Sequence, residues 1–166
     1  MNTITDAELH QLTSQVAQCL LEVNWRLSVA ESCTGGWLGK CCTDLAGSSN
    51  WFDRGFITYS NQAKQDCLHV SNATLEQFGA VSEQTATEMA QGALAGSVAD
   101  ISVAITGIAG PDGGTIDKPV GTVCFAWATK YSPIQTAVYL LQGDRESIRR
   151  QAVKIALQGI VKNARD

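Results

Sequence analysis

Three side chains in this sequence are of the types that carry out acyl transfer: Ser32, Tyr59 and Lys64. Ser32 lies in Ala30-Glu31-Ser32-Cys33-Thr34-Gly35-Gly36, between a short apolar run ending at Ala30 and the helical pattern Trp37, Leu38, Cys41, Cys42, Leu45. The segment therefore reads as a strand-to-helix turn. Such a turn puts a hydroxyl at the carboxyl end of a strand, and its glycines let backbone N–H groups approach a ligand closely. A second turn of this kind, Tyr59-Ser60-Asn61-Gln62-Ala63-Lys64, offers a base. Serine is a weak nucleophile until its proton is removed, and the usual base is represented only by His10 and His69. His10 falls on the polar side of the first helix and His69 follows Leu68, so both suit a solvated or structural role better. Lysine serves as a base when burial lowers its pKa from ~10.4, and Tyr59 could then relay or donate a proton. Cys33 is a rival nucleophile, but on an extended segment it faces the opposite way from Ser32 and reads as core. A serine, a lysine and a tyrosine occur in any domain of this size, so spacing by itself leaves the site open.

The elements that must position these groups follow from periodicity and caps. Thr5 with Glu8 has capping-box spacing, and Leu9, Leu12, Val16, Cys19, Leu20 and Val23 recur at helical intervals, which predicts a helix over 6–23. A strand over 26–30, the Ser32 turn and a helix over 35–45 come next. The β-rich run 52–59 reads as a strand that delivers Tyr59 to its end. Ser60 or Asn61 then caps a short helix carrying Lys64 in its first turn, Ser71 or Asn72 another through Phe78, and Ser82 a longer one. Gly92, Ala93, Ala95 and Gly96 make the last of these thin, which suits close approach either to the sheet or to a second copy of the chain. A buried-looking strand over 101–106 precedes the turn-rich loop 107–115, and the runs 120–129 and 134–141 read as an antiparallel pair. Asp144 caps a final helix. Helices alternating with about five strands predict an α/β fold, a three-layer α/β/α sandwich around one mixed sheet. In such sheets ligands sit beyond the carboxyl ends of strands, where Ser32, Tyr59 and the loop after Thr106 would lie.

The totals exclude several classes. With 166 residues, 45% apolar and three prolines, the chain is expected to form a single domain over 1–166. A net charge of −4 without a basic block argues against a nucleic-acid partner and for a small-molecule ligand. No apolar run approaches the ~18 residues of a membrane span, and Met1–Ala7 lacks the charge and apolar core of a leader, so no membrane and a cytoplasmic location are expected. The six cysteines show no CxxC pair or Cys/His metal spacing, which favours reduced, mostly buried thiols and no metal. Gly35-Gly36-Trp37-Leu38-Gly39 is not GxGxxG, no GxxxxGK[ST] occurs, and Tyr59 and Lys64 are not spaced as short-chain dehydrogenases require, so hydride transfer is disfavoured. The loop 107–115 could cradle an anion through N–H groups, with Lys118 and Arg145 as possible phosphate partners. Arg145 and Arg149 form an i,i+4 pair whose commoner meaning is a solvated helix face.

Taken together, these motifs resemble one family, the carboxy-terminal domain of the competence/damage-inducible protein CinA, found alone in the PncC nicotinamide-mononucleotide deamidases. The resemblance rests on Ala30–Gly36, Gly47-Ser48-Ser49, Thr58–Lys64, Gly79-Ala80-Val81-Ser82, Thr106–Gly114, Lys118–Val123 and Gly143-Asp144-Arg145, in order over nearly the whole chain. It implies an amidohydrolase that converts nicotinamide mononucleotide and water to nicotinic acid mononucleotide and ammonia in pyridine-nucleotide salvage, without a cofactor. The family's catalytic serine, tyrosine and lysine fall on Ser32, Tyr59 and Lys64. Substrate contacts are expected from Thr34, Gly35, Gly36, Asn61, Thr106, Gly107, Lys118 and Arg145, with the oxyanion held by N–H groups near Thr34 to Gly36. The resemblance also implies a homodimer. Arg54 stands where many relatives carry glycine, which could alter the rim of the pocket. The alternative is a non-catalytic nucleotide-binding or regulatory module that has kept the pocket.

Overall fold

The computed structural model describes residues 4–165; the first three residues of the Met1–Ala7 segment lie outside them. The elements are α1 (Asp6–Glu22), β1 (Leu27–Glu31), α2 (Trp37–Thr43), β2 (Phe52–Ile57), α3 (Asn61–Leu68), α4 (Asn72–Phe78), α5 (Glu83–Ala95), β3 (Ile101–Gly107), β4 (Thr122–Thr129), β5 (Gln135–Leu140) and α6 (Arg145–Asn163). The caps fall where side-chain chemistry favours them. Thr5 and Glu8 close a capping box on α1, while Ser60, Ser71, Ser82 and Asp144 each accept an N–H from the residue three further on. Three of the boundaries that differ from the periodicity have a local cause. Helix α2 starts at Trp37 because Gly35 and Gly36 are left-handed, with φ of +59° and +96°. Strand β2 ends at Ile57, leaving Tyr59 beyond it, because Ser60 already caps α3. Strand β4 starts at Thr122 because Gly121 turns the chain at φ +96°, where a Cβ would lie 2.0 Å from the Leu141 carbonyl oxygen.

One mixed sheet in the order β2-β1-β3-β4-β5 forms the middle layer. β1 pairs in parallel with β2 and β3, whereas β3–β4 and β4–β5 are antiparallel. The chain leaves β1 first toward β2 and later returns to β3 on β1's other side, so the sheet reverses direction at the carboxyl end of β1. The next residue there is Ser32.

The two faces of the sheet are built differently. Leu27, Val29, Ile101, Val103, Ile105, Val123, Phe125 and Trp127 form one core with α1, α2 and α6. The alternate residues Ala30, Ala104, Cys124, Ala126 and Ala128 pack with α3, α4 and α5. Small side chains on that second face let α5 sit close, and Ser28 and Ser102 donate directly to the Ala93 and Ala90 carbonyls, at 3.1 and 2.6 Å. A Cβ at Gly92 would lie 2.0 Å from the Leu68 carbonyl oxygen. Gly92 and Ala93 of the thin face of α5 are therefore used inside the chain, against α3 and the sheet, while Ala95 and Gly96 are exposed. No helix among the described residues is long and apolar enough to cross a membrane.

Candidate active site

The alternation of side chains along β1 continues past the strand and distributes three consecutive residues. Glu31 points to the α2 face, Ser32 to the α3 face, and Cys33 back into the larger core. Ser32 is fixed from behind, since its N–H donates to the Ile105 carbonyl at 3.0 Å and extends the β1–β3 ladder by one residue. Glu31 is 1% exposed, and its carboxyl group accepts N–H bonds from Gly36, Leu38 and Gly39 at 3.1, 3.1 and 2.8 Å. It ties the start of α2 to the end of β1 and so sets the shape of the turn between them.

Lys64 reaches the same point from α3. Its Nζ lies 2.9 Å from Ser32 Oγ and 2.8 Å from the Thr58 carbonyl oxygen, and the residue is only 1% exposed. It forms no ion pair among the described residues. Burial without a counter-charge disfavours the ammonium form and pulls its pKa down to about 8. A neutral amine has two protons and one lone pair. One proton can go to the Thr58 carbonyl, leaving the lone pair to accept the Ser32 hydroxyl proton. Cys33 is also buried, and burial pushes its thiol up to about 12, so it offers no thiolate. His10 and His69 are exposed and outside the cavity into which Ser32 opens.

That cavity has a volume of about 260 Å³. It brings together Ser32, Tyr59, Asn61, Lys64, Thr106, Gly107 and Arg145 of the residues expected from sequence. Tyr59 stands at the rim, 63% exposed, and its hydroxyl accepts from Arg145 at 3.2 Å. The same guanidinium donates to the Gly110 carbonyl at 2.7 Å, linking Tyr59 to the glycine loop. Thr106 Oγ1 donates to the Ala80 carbonyl, which draws the segment before α5 over the end of the sheet. Asn61 and Gly107 line the wall.

Four expected contacts lie elsewhere. Lys118 donates to the Phe78 carbonyl at 2.6 Å and does not line the cavity. Thr34, Gly35 and Gly36 border a different cavity, of about 800 Å³, on the other side of the turn beneath α1 and α2. The N–H groups of Gly35 and Gly36 are already engaged, by the Ser32 carbonyl and by Glu31. The turn's remaining N–H groups, those of Cys33 and Thr34, donate to nothing among the described residues. Arg54 lies on β2, bonded to Asp53 and the Gly96 carbonyl, away from the rim.

Other participants were missed. Glu31 has no role in the sequence-based expectations, although an acidic residue ending an apolar strand just before paired glycines is a signal for an internal helix cap. Arg149, expected on a solvated helix face, donates to the Cys33 and Thr34 carbonyls, both at 3.0 Å. Ala80, Val81 and Asp112 also line the cavity, and nothing in their types marked them.

Comparison with known proteins agrees with this architecture. The family model described as CinA C-terminal domain matches residues 9–164. A nicotinamide-nucleotide amidohydrolase PncC of Escherichia coli (strain K12) is 54% identical over 155 residues, covering 93% of this chain and 94% of that protein. A protein of the same name from Enterobacter agglomerans is 52% identical over the same shares. The crystal structure of competence/damage inducible protein CihA from Agrobacterium tumefaciens superposes with a TM-score of 0.92 at 40% identity, covering 100% of this chain and 99% of that one.

Proposed function

The chain belongs to the CinA C-terminal domain family, and from that premise we propose that it is an amidohydrolase converting nicotinamide mononucleotide and water to nicotinic acid mononucleotide and ammonia. The observation that carries this reading is the buried Lys64 amine, without a counter-charge, 2.9 Å from the Ser32 hydroxyl. Relatives that align over almost the whole chain bear the name nicotinamide-nucleotide amidohydrolase, which supports the choice of substrate.

Neutral Lys64 removes the Ser32 proton as Oγ attacks the carboxamide carbon. The carbonyl oxygen becomes an oxyanion, stabilised by the unengaged N–H of Cys33, which borders the Ser32 cavity, rather than by those of Gly35 and Gly36. Collapse breaks the C–N bond. The departing nitrogen takes a proton from Lys64, or from Tyr59 held at the rim by Arg145 with the Lys64 proton then restoring the phenol, and leaves as ammonia, so that Lys64 is neutral again. Water then gives its proton to Lys64 and attacks the acyl ester, and the proton returns to Ser32 as the acid product leaves. The pyridinium charge of the substrate assists at two points, by activating the carbonyl and by disfavouring protonated Lys64.

Ammonia release from nicotinamide mononucleotide, set beside calorimetric binding of the same compound, tests the reading. Catalytic release is expected. Tight binding with no release would instead identify a binding module that has kept the pocket.

A further inference from the structure

We propose that Asp112 is a specificity-determining residue: its carboxylate supplies the counter-charge for a cationic ring held against Ser32 and so selects pyridinium nucleotides over uncharged analogues. The inference rests on the amidohydrolase reading above, which puts a pyridinium carboxamide at Ser32 Oγ. Apart from Asp112, the residues of acidic or basic type that line this cavity are Lys64 and Arg145, and both are basic. By themselves they make the wall repel a cation, most strongly whenever Lys64 is protonated. Glu31, the carboxylate next to Ser32 in sequence, does not line the cavity and is committed to the three N–H groups at the start of α2. Asp112 is left as the acid on the wall, and it forms no ion pair among the described residues. Arg145 donates instead to the Gly110 carbonyl and the Tyr59 hydroxyl.

The backbone fixes where this carboxylate stands. Asp112 is the middle residue of the arch Gly110–Gly114, whose two feet both rest on Val120: a Cβ at Gly110 would lie 2.5 Å from Val120 Cγ1, and one at Gly114 2.7 Å from the Val120 nitrogen. Arg145 pins the first foot through the Gly110 carbonyl at 2.7 Å, and just past the second the Thr115 N–H closes onto the Lys118 carbonyl at 2.8 Å. A cavity of about 260 Å³ is small, roughly 8 Å across as a sphere, which is one Debye length at physiological ionic strength. A ring charge beside Ser32 is therefore felt by every charged side chain on the wall. Asp112 is exposed, so water and salt weaken the attraction, and about three- to tenfold in affinity is the size expected.

The test is calorimetric binding to the full chain carrying Ser32→Ala, which prevents turnover, with and without Asp112→Asn. The two probes are nicotinamide mononucleotide and its reduced form, which keeps the amide, ribose and phosphate on an uncharged dihydropyridine ring. Specificity is a difference of affinities, so the deciding quantity is the change in the ratio between the probes. Asp112→Asn should weaken the oxidised compound about three- to tenfold and leave the reduced one within about twofold, and the contrast should shrink as salt is raised. Equal weakening of both overturns the inference, because Asp112 would then read the ribose or the amide. So does unchanged binding of both, or failure of the oxidised compound to bind. If Asp112→Asn does not fold by circular dichroism, Asp112→Ser decides by the same criteria. These outcomes leave the amidohydrolase reading standing as long as the wild type releases ammonia, and a wild type that releases none overturns that reading and this inference with it.

Discussion

Lys64 carries the balance between stability and chemistry. A lysine shut away from water without a carboxylate partner resists protonation, which is useful for a base and costly for the fold at neutral pH. Its folded pKa, about 8 against an ordinary 10.5, means that the unfolded chain binds the extra proton more readily between those values. Stability therefore rises as pH increases from about 8 to about 10.5 and is lowest below that window. Chemical denaturation across the window should show this slope for the wild type and not for Lys64→Met, and parallel curves would remove the claim. The same titration sets activity: kcat/KM should climb with unit slope up to a midpoint near 8 and level off above it. A profile flat from pH 6 to pH 9 would deny Lys64 the role of base. These residues were legible as types but not as partners. Lysine was preferred over histidine on expected burial alone, whereas the hydrogen bond from its amine to the Thr58 carbonyl depends on where β2 ends and α3 begins.

Among the elements, the turn from β1 into α2 and the seat of α5 on α3 hold the site in shape. Glu31 satisfies three N–H groups at the start of α2, and Glu31→Gln would place an amide NH₂ against donors that need an acceptor. That substitution is expected to destabilise by about 1–3 kcal/mol and to lower kcat, measured by thermal unfolding and ammonia release. A wild-type melting temperature would contradict it. Gly92→Ala offers a change whose sign opposes helix propensity. In an exposed helix alanine would gain about 1 kcal/mol over glycine, but here its Cβ would meet the Leu68 carbonyl at 2.0 Å and push α5 off the helix that carries Lys64. A lower melting temperature and slower turnover are expected, and a stabilised, fully active variant would refute the packing argument. Caps at Ser60, Ser71, Ser82 and Asp144 were readable because they act within three residues. The thin face of α5 was not, because a small side chain reports that something comes close without saying what.

The whole molecule brings distant segments together by reversing its sheet at β1. Leaving β1 for β2 on one side and for β3 on the other places the ends of all three parallel strands around Ser32. The alternation of elements was enough to anticipate a mixed sheet between helical layers. It could not show that Arg149, 116 residues from Cys33, reaches back from α6 to hold the serine turn. The most direct measurement is ammonia release from nicotinamide mononucleotide at pH 9, run side by side on the wild type and Ser32→Ala, with unfolding midpoints recorded for both. The wild type should turn over while the variant, having lost one hydrogen bond worth about 1 kcal/mol, stays folded and releases ammonia only at the uncatalysed rate. A folded Ser32→Ala protein that releases ammonia as fast as the wild type would contradict the account.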